Sequence, residues 1–164
     1  MHTPPRTTLL EICDDDFAWM LGERPSPAPR LALPDDGIDA PEILRIVRGM
    51  TRRLHAAGCR GSWMMVSGNE VVGLCSYKQP PKDGVVEIGY GVALAHRGRG
   101  HATRAVAAVL DYARGDAAVG CVTASTTVAN LASQTALSRN GFAQTGTGHD
   151  SEDGDLVFWS HDLS

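Results

Sequence analysis

The stretch from Val85 to Thr127 restricts the fold more than any other part of this chain. An apolar run, Val85 to Leu94, leads into a loop holding Gly98 and Gly100. Ala102, Val106, Val109, Leu110 and Ala113 then fall on one face of a helix, and a second apolar run spans 119–127. Helical spacing between two strand-like runs is the pattern of a βαβ unit. Strand 85–94, helix 100–114 and strand 119–127 have the lengths of a right-handed crossover between parallel strands. Gly89 and Gly91 interrupt the first strand, which predicts a bulge there or a close approach by another backbone or a ligand.

The flanks read as antiparallel. Thr7 to Cys13 is a first strand, and Asp14, Asp15 and Asp16 cap a short helix carrying Phe17, Trp19, Met20 and Leu21. Four prolines make Glu23 to Pro34 a loop. Asp39 is the expected N-cap of a second helix, with Pro41 early, Glu42 at N3, and an apolar stripe of Ile43, Ile46, Val47, Met50 and Leu54. Trp63–Ser67 and Glu70–Tyr77 flank a turn at Ser67-Gly68-Asn69. Asn130–Asn140 is a helix stopped by Gly141, and Phe142–Thr147 with Leu156–His161 is a last hairpin around an acidic loop. The order is β-α-α-β-β-β-α-β-α-β-β. It predicts an α/β (α+β) fold: a mixed, twisted sheet of about seven strands with helices on both faces and a central parallel βαβ. Residues 1–164 are expected to form a single domain, since a chain of 164 residues buries about 70% of its unfolded surface.

A net charge of −4 and a pI near 5.8 argue against a basic face for nucleic acid. No run approaches the roughly 20 apolar residues that span a bilayer. The first twenty residues include three consecutive aspartates and no long apolar run, so no signal peptide is expected. Cys13, Cys59, Cys75 and Cys121 form no CxxC pair and have no histidine at zinc spacing. They read as reduced thiols of a cytoplasmic protein. The run His149 to Asp155 fits no calcium-loop spacing and reads as a solvated hairpin loop, so no metal is expected.

Chemistry concentrates in Val92-Ala93-Leu94-Ala95-His96-Arg97-Gly98-Arg99-Gly100-His101-Ala102. Gly98, Gly100 and Ala102 let a ligand approach the main chain, unpaired N–H groups open the helix, and the helix dipole stands behind them. Arg97 and Arg99 add positive charge. Such a loop suits a phosphate or pyrophosphate. It is not a Walker A loop, because no Gly-Lys-Ser/Thr is present, and it lacks the third glycine of the dinucleotide fingerprint. By itself it could equally be a plain turn with glycines for geometry.

A second signal lies downstream: Thr126-Thr127-Val128-Ala129-Asn130-Leu131-Ala132-Ser133, then Gly141-Phe142. Strand, Asn, short helix and Gly-Phe, in that order after Arg-x-x-Gly-x-Ala, resembles the GNAT superfamily of N-acetyltransferases. Glu87-Ile88-Gly89-Tyr90 resembles the branch that includes ribosomal-protein N-terminal acetyltransferases. The likeness is good over about residues 62 to 147 and loose in the N-terminal third. It implies acetyl-CoA as cosubstrate. Main-chain groups of Val92 and Leu94, on either side of Ala93, would pair with the pantetheine arm. Arg97, Gly98, Arg99, Gly100, His101 and Ala102 would cradle the pyrophosphate, and Thr103 would add a hydroxyl. Asn130 would bond the arm, Ser133 would stand near the sulfur, and the parallel strands would splay at the bulge. Similar proteins are frequently homodimers.

Each residue also has a plainer role. Asn130 caps a helix, Ser133 is an ordinary polar helix residue, Glu87 is a solvated strand side chain, and His96 and His101 are exposed. Glu87 is the candidate base that takes a proton from the attacking amine, provided apolar burial raises its pKa. A strand N–H near Val92 would hold the oxyanion. Two departures stand out. Many similar proteins carry a tyrosine acid four residues before the Gly of Gly-Phe, where this chain has Leu137. That leaves Ser133 as the candidate catalytic acid, or a water, or no dedicated acid. The second common base position is Ser125, which cannot usefully take up a proton. The acceptor is a primary amine, either a peptide N-terminus or a small cationic amine drawn by Asp150, Glu152, Asp153, Asp155, Asp35 and Asp36. The competing readings are a non-catalytic CoA-binding sensor or regulatory module, and a nucleotide enzyme built on the glycine loop. No Asp or Glu at 117–123 serves as the ribose partner the latter would need.

Overall fold

The computed structural model describes residues 6–164. The elements run β1 (Thr8–Glu11), α1 (Asp14–Met20), α2 (Pro41–Ala56), β2 (Ser62–Ser67), β3 (Glu70–Tyr77), β4 (Val85–Val92), α3 (His101–Arg114), β5 (Cys121–Thr127), α4 (Leu131–Arg139), β6 (Ala143–Asp150) and β7 (Gly154–Asp162), with one 3-10 turn at Leu94–His96. This is the order expected from the sequence. The strands form one seven-stranded sheet in the order β1-β2-β3-β4-β5-β7-β6. Among the strands of the described residues, β4 and β5 alone form a parallel ladder, with α3 crossing between them.

Two apolar clusters lie along the sheet. Val106, Val109 and Leu110 of α3 and Leu137 of α4 pack on Val86, Ile88, Val122 and Trp159. Phe17 of α1 and Leu44 of α2 pack on Met64, Val66, Val71 and Leu74. Alternate residues of β2 feed the two clusters, as the two-residue period of a strand requires.

Three local expectations shift. The bulge is on β3, not β4: Met65 faces Gly73 while Val66 faces Val71, leaving Val72 as the extra residue. Pairing of β3 with β4 is unbroken from Tyr77↔Ile88 to Gly73↔Val92. Glycine is nevertheless required at this seam, because a Cβ on Gly73 would collide with the carbonyl oxygen of Gly91. The N-cap of α2 is Ala40, with Pro41 at N1; the Asp39 carboxylate instead accepts from the Ala40 N–H at 2.7 Å. At α1 the N-cap is Cys13, and the capping aspartate is Asp16, whose carboxylate reaches back to the Cys13 N–H at 2.8 Å.

Candidate active site

Pairing of β4 with β5 ends at Ile88↔Ala124, although both strands continue. The consequence follows from ladder alternation. Glu87 O accepts from Lys78 N and Ala93 N donates to Val72 O, so odd-numbered residues of β4 bond to β3. The main-chain groups of Tyr90 and Val92 therefore face the opening between β4 and β5. Val92 occupies the position expected for it. Leu94 does not: it begins the 3-10 turn and is exposed, while Ala93 is fully buried.

The far end of the opening is the glycine loop. Gly98 and Gly100 have φ of 77° and 81°, a left-handed conformation that explains glycine at both. None of the main-chain N–H groups from Gly98 to Thr103 has an acceptor among the described residues; the first helical bond of α3 is Arg104 N to Gly100 O, at 3.1 Å. These donors converge where the α3 dipole is positive. Arg97 folds back so that Nε donates to Val92 O at 3.1 Å. Arg104 stiffens the loop from beneath, its Nη2 donating to Arg99 O at 2.8 Å.

His101 is buried rather than exposed. Its Nδ1 lies 2.9 Å from Thr7 Oγ1 and 3.3 Å from Arg104 Nη2. Burial, then the nearby Arg104 charge, lowers its pKa, so the ring stays neutral and Nδ1 can accept. His96 is half-buried, with Nε2 3.1 Å from Glu70 Oε1.

A cavity of about 520 Å³ runs along this loop, touching Tyr90, Val92, Arg97, Gly98, Gly100, Ala102, Thr103, Asn130 and Ser133. Thus most of the residues expected to hold a cofactor share one cleft. Thr135 and Arg139 of α4 line it as well. Their α4 positions carry no motif, so they are not recognisable from the residues alone. Asn130 is the N-cap of α4, its Oδ1 accepting from Ser133 N at 3.1 Å. The capping role read for Asn130 is therefore present, and it uses the side-chain oxygen.

A second cavity of about 500 Å³ lies between α2 and the open end of β4 and β5. Its wall is apolar, from Ile43, Ile46, Val47 and Met50, and its charged margin is Asp39, Lys78 and Asp153. Of the acidic residues expected to attract a cation, Asp153 alone lines it. Asp150 is held by the N–H groups of Glu152 and Asp153, and Asp155 by His149. Glu87 stands beside this cleft, its Oε2 3.2 Å from Ser125 Oγ and 3.4 Å from Lys78 Nζ. It is part-exposed and ion-paired rather than sunk among apolar neighbours. The two cavities meet at Tyr90, Gly91, Asn130 and Ser133. Tyr90 was read only as part of a motif; its spacing with Ile88 and Val92, on one face of β4, is the signal that could have singled it out. Leu137, where similar proteins carry an acid, is fully buried core.

A split parallel pair with a nest of N–H groups at one mouth is the architecture of an acyltransferase class, and solved structures of that class share the fold. RimL, a ribosomal alpha-N-protein acetyltransferase in complex with coenzyme A, matches with a TM-score of 0.72 at 18% identity, over 96% of this chain and 94% of that one. RimJ of Mycobacterium smegmatis, in complex with CoA-disulfide, matches with 0.71 at 21%, over 98% and 86%. The microcin C7 self-immunity acetyltransferase MccE, in complex with acetyl-CoA and AMP, matches with 0.70 at 13%, over 96% and 92%. No curated protein matches by sequence. The family profile described as acetyltransferase (GNAT) domain covers residues 6–143, and the chain belongs to that family of acetyl-CoA-dependent acetyltransferases.

Proposed function

We propose that residues 1–164 act as one domain transferring acetyl from acetyl-CoA to a primary amine by direct attack in a ternary complex. The observation that carries this reading is the meeting of two clefts at Tyr90 and Ser133, one ending in the unpaired N–H groups of Gly98 to Thr103. Those groups receive the diphosphate, with Arg97, Arg99 and the Thr103 hydroxyl as supplementary donors. The pantetheine arm lies against β4 in place of a missing strand, bonding Tyr90 and Val92 on one side and the Asn130 amide on the other. The acetyl carbonyl then lies where a β4 N–H can hold the developing oxyanion.

Direct attack, rather than an acyl-enzyme, fits Cys75. It touches the second cleft, but burial pushes its thiol far above the thiolate range. Glu87 takes the amine proton, directly or through water. It is part-exposed beside Lys78, which leaves the carboxylate open to water and to an incoming amine. The apolar wall of α2 beside Asp39 and Asp153 suits one ammonium group next to an apolar substituent better than a polycation. The likeness to RimL, a ribosomal alpha-N-protein acetyltransferase, supports trying protein α-amino groups first as acceptors. The four unpaired cysteines suit a reducing compartment such as the cytoplasm.

Thiol release from acetyl-CoA over a panel of peptide N-termini, polyamines and aminoglycosides tests this. Turnover on at least one peptide is expected, with Glu87→Gln flattening the pH–rate profile. CoA binding without turnover on any amine between pH 6 and 9 would instead identify a CoA-binding module. An unchanged Glu87→Gln profile would remove Glu87 as the base.

A further inference from the structure

The reaction as proposed assigns no donor to the departing sulfur, and besides Ser133, expected near that sulfur, one further side chain is placed to supply one. Where two clefts must exchange an acyl group, the thioester lies at their junction, which is formed by Tyr90, Gly91, Asn130 and Ser133. Gly91 offers no side chain. The Asn130 carboxamide is engaged as a cap through Oδ1. Tyr90 reaches across the opening from β4 to α4, and its hydroxyl donates to the Ser133 main-chain oxygen at 3.0 Å. That bond holds the part-buried phenol at the junction.

We propose that the Tyr90 hydroxyl is the catalytic hydrogen-bond donor to the coenzyme A sulfur as the thioester breaks. The inference rests on the acetyl-transfer reading above. On approach of the cofactor, the hydroxyl turns from Ser133 O to the sulfur. When the tetrahedral adduct collapses, the carbon–sulfur bond breaks and its electron pair stays on sulfur. The Tyr90 O–H bond stabilises that charge and remains intact. The proton the sulfur finally takes up is the one the amine gives up, so the products are the amide and the free thiol. Burial supports this division of labour, because it pushes the phenol up to about 12, above an ordinary thiol near 8.5. A phenol so placed stays neutral over the working range and donates without ionising. It takes over a task that Leu137, packed in the core, cannot perform.

Tyr90→Phe keeps the ring and removes only the hydroxyl. With acetyl-CoA and an amine the wild type accepts, kcat should fall about 10- to 100-fold while KM for acetyl-CoA stays within about twofold. A second measurement needs no acceptor. Alkylation of bound CoA followed against pH should give a lower thiol pKa on the wild type than on Tyr90→Phe, by about one unit for a tenfold effect. Equal kcat in the two proteins, or equal CoA thiol pKa values, would overturn the proposal. A fall in kcat matched by loss of CoA affinity would also overturn it, because the hydroxyl would then serve only to bind or to hold α4. If no amine is turned over by the wild type, the transfer reading fails by itself, and the thiol titration still decides the role of Tyr90.

Discussion

Ala102 stands in the first turn of α3, on the cleft proposed for the cofactor, where backbone N–H groups and the helix dipole would meet the diphosphate. A glutamate there makes opposite demands on folding and binding. As part of the folded protein it is welcome at a helix N-terminus, by about 0.3–1 kcal/mol. Toward a diphosphate it presents like charge at close range. Ala102→Glu should therefore leave Tm unchanged or slightly higher while weakening CoA binding by about 100-fold, roughly 2.7 kcal/mol, in a calorimetric titration. The loop itself was legible in the sequence for a residue-scale reason. Gly98 and Gly100 adopt positive φ, which few other residues tolerate, and a glycine pair between a strand and a helix announces that geometry. Tyr90 was illegible at the same scale. Its position depends on how far β5 parts from β4 and on where α4 begins, and neither is a property of neighbouring residues.

Among the elements, α2 forms the wall of the cleft proposed for the acceptor and is tied to α1 through one carboxylate. Arg48 grips Asp14 with two bonds, of 2.8 and 2.7 Å, and Arg52 adds two more, of 2.8 and 3.0 Å. Hydrogen bonds from Arg48, then from Arg52, hold the Asp14 carboxyl far below the ordinary carboxylate range. A folded pKa below the unfolded value of about 3.9 contributes stability above that pH and loses it as acid titrates the folded group. Asp14 is partly exposed, so solvent and salt reduce the effect. Asp14→Asn should lower Tm by a few degrees at pH 7 and raise KM for the acceptor more than for acetyl-CoA. Its deficit should shrink as pH falls below about 4. An Asp14→Asn protein with wild-type Tm at pH 7 and wild-type acceptor KM would show that α2 needs no such tether. Element types and order were readable from periodicity, because 3.6- and 2-residue patterns are local. The N-cap at Ala40 and the bulge at Val72 were not. Asp39 is a good capping residue whose carboxylate bonds the next N–H instead. The mark beside Val72, Gly73, is one glycine among several in these strands and does not say which strand carries the extra residue.

For the whole molecule, the sheet is a device for keeping two parallel strands apart. The β3 bulge, the Gly73–Gly91 approach and the end of pairing at Ile88↔Ala124 lie together around the opening. Cores on either side hold α3 and α4 with one cavity and α2 with the other. Unpaired main-chain groups inside a protein are costly unless something bonds them, so an opening kept between paired strands indicates a partner that arrives with the substrate. The cleft proposed for the acceptor is walled by α2, whose sequence carries only an amphipathic stripe and no chemical motif, so acceptor choice is the property least readable from sequence. A crystal structure with acetyl-CoA bound tests the account most directly. It should show the diphosphate within hydrogen-bonding distance of the N–H groups between Gly98 and Thr103, the arm bonded to the main chain of Val92, and the sulfur beside the Tyr90 hydroxyl. A cofactor bound elsewhere, with β4 and β5 closed on each other, would contradict it.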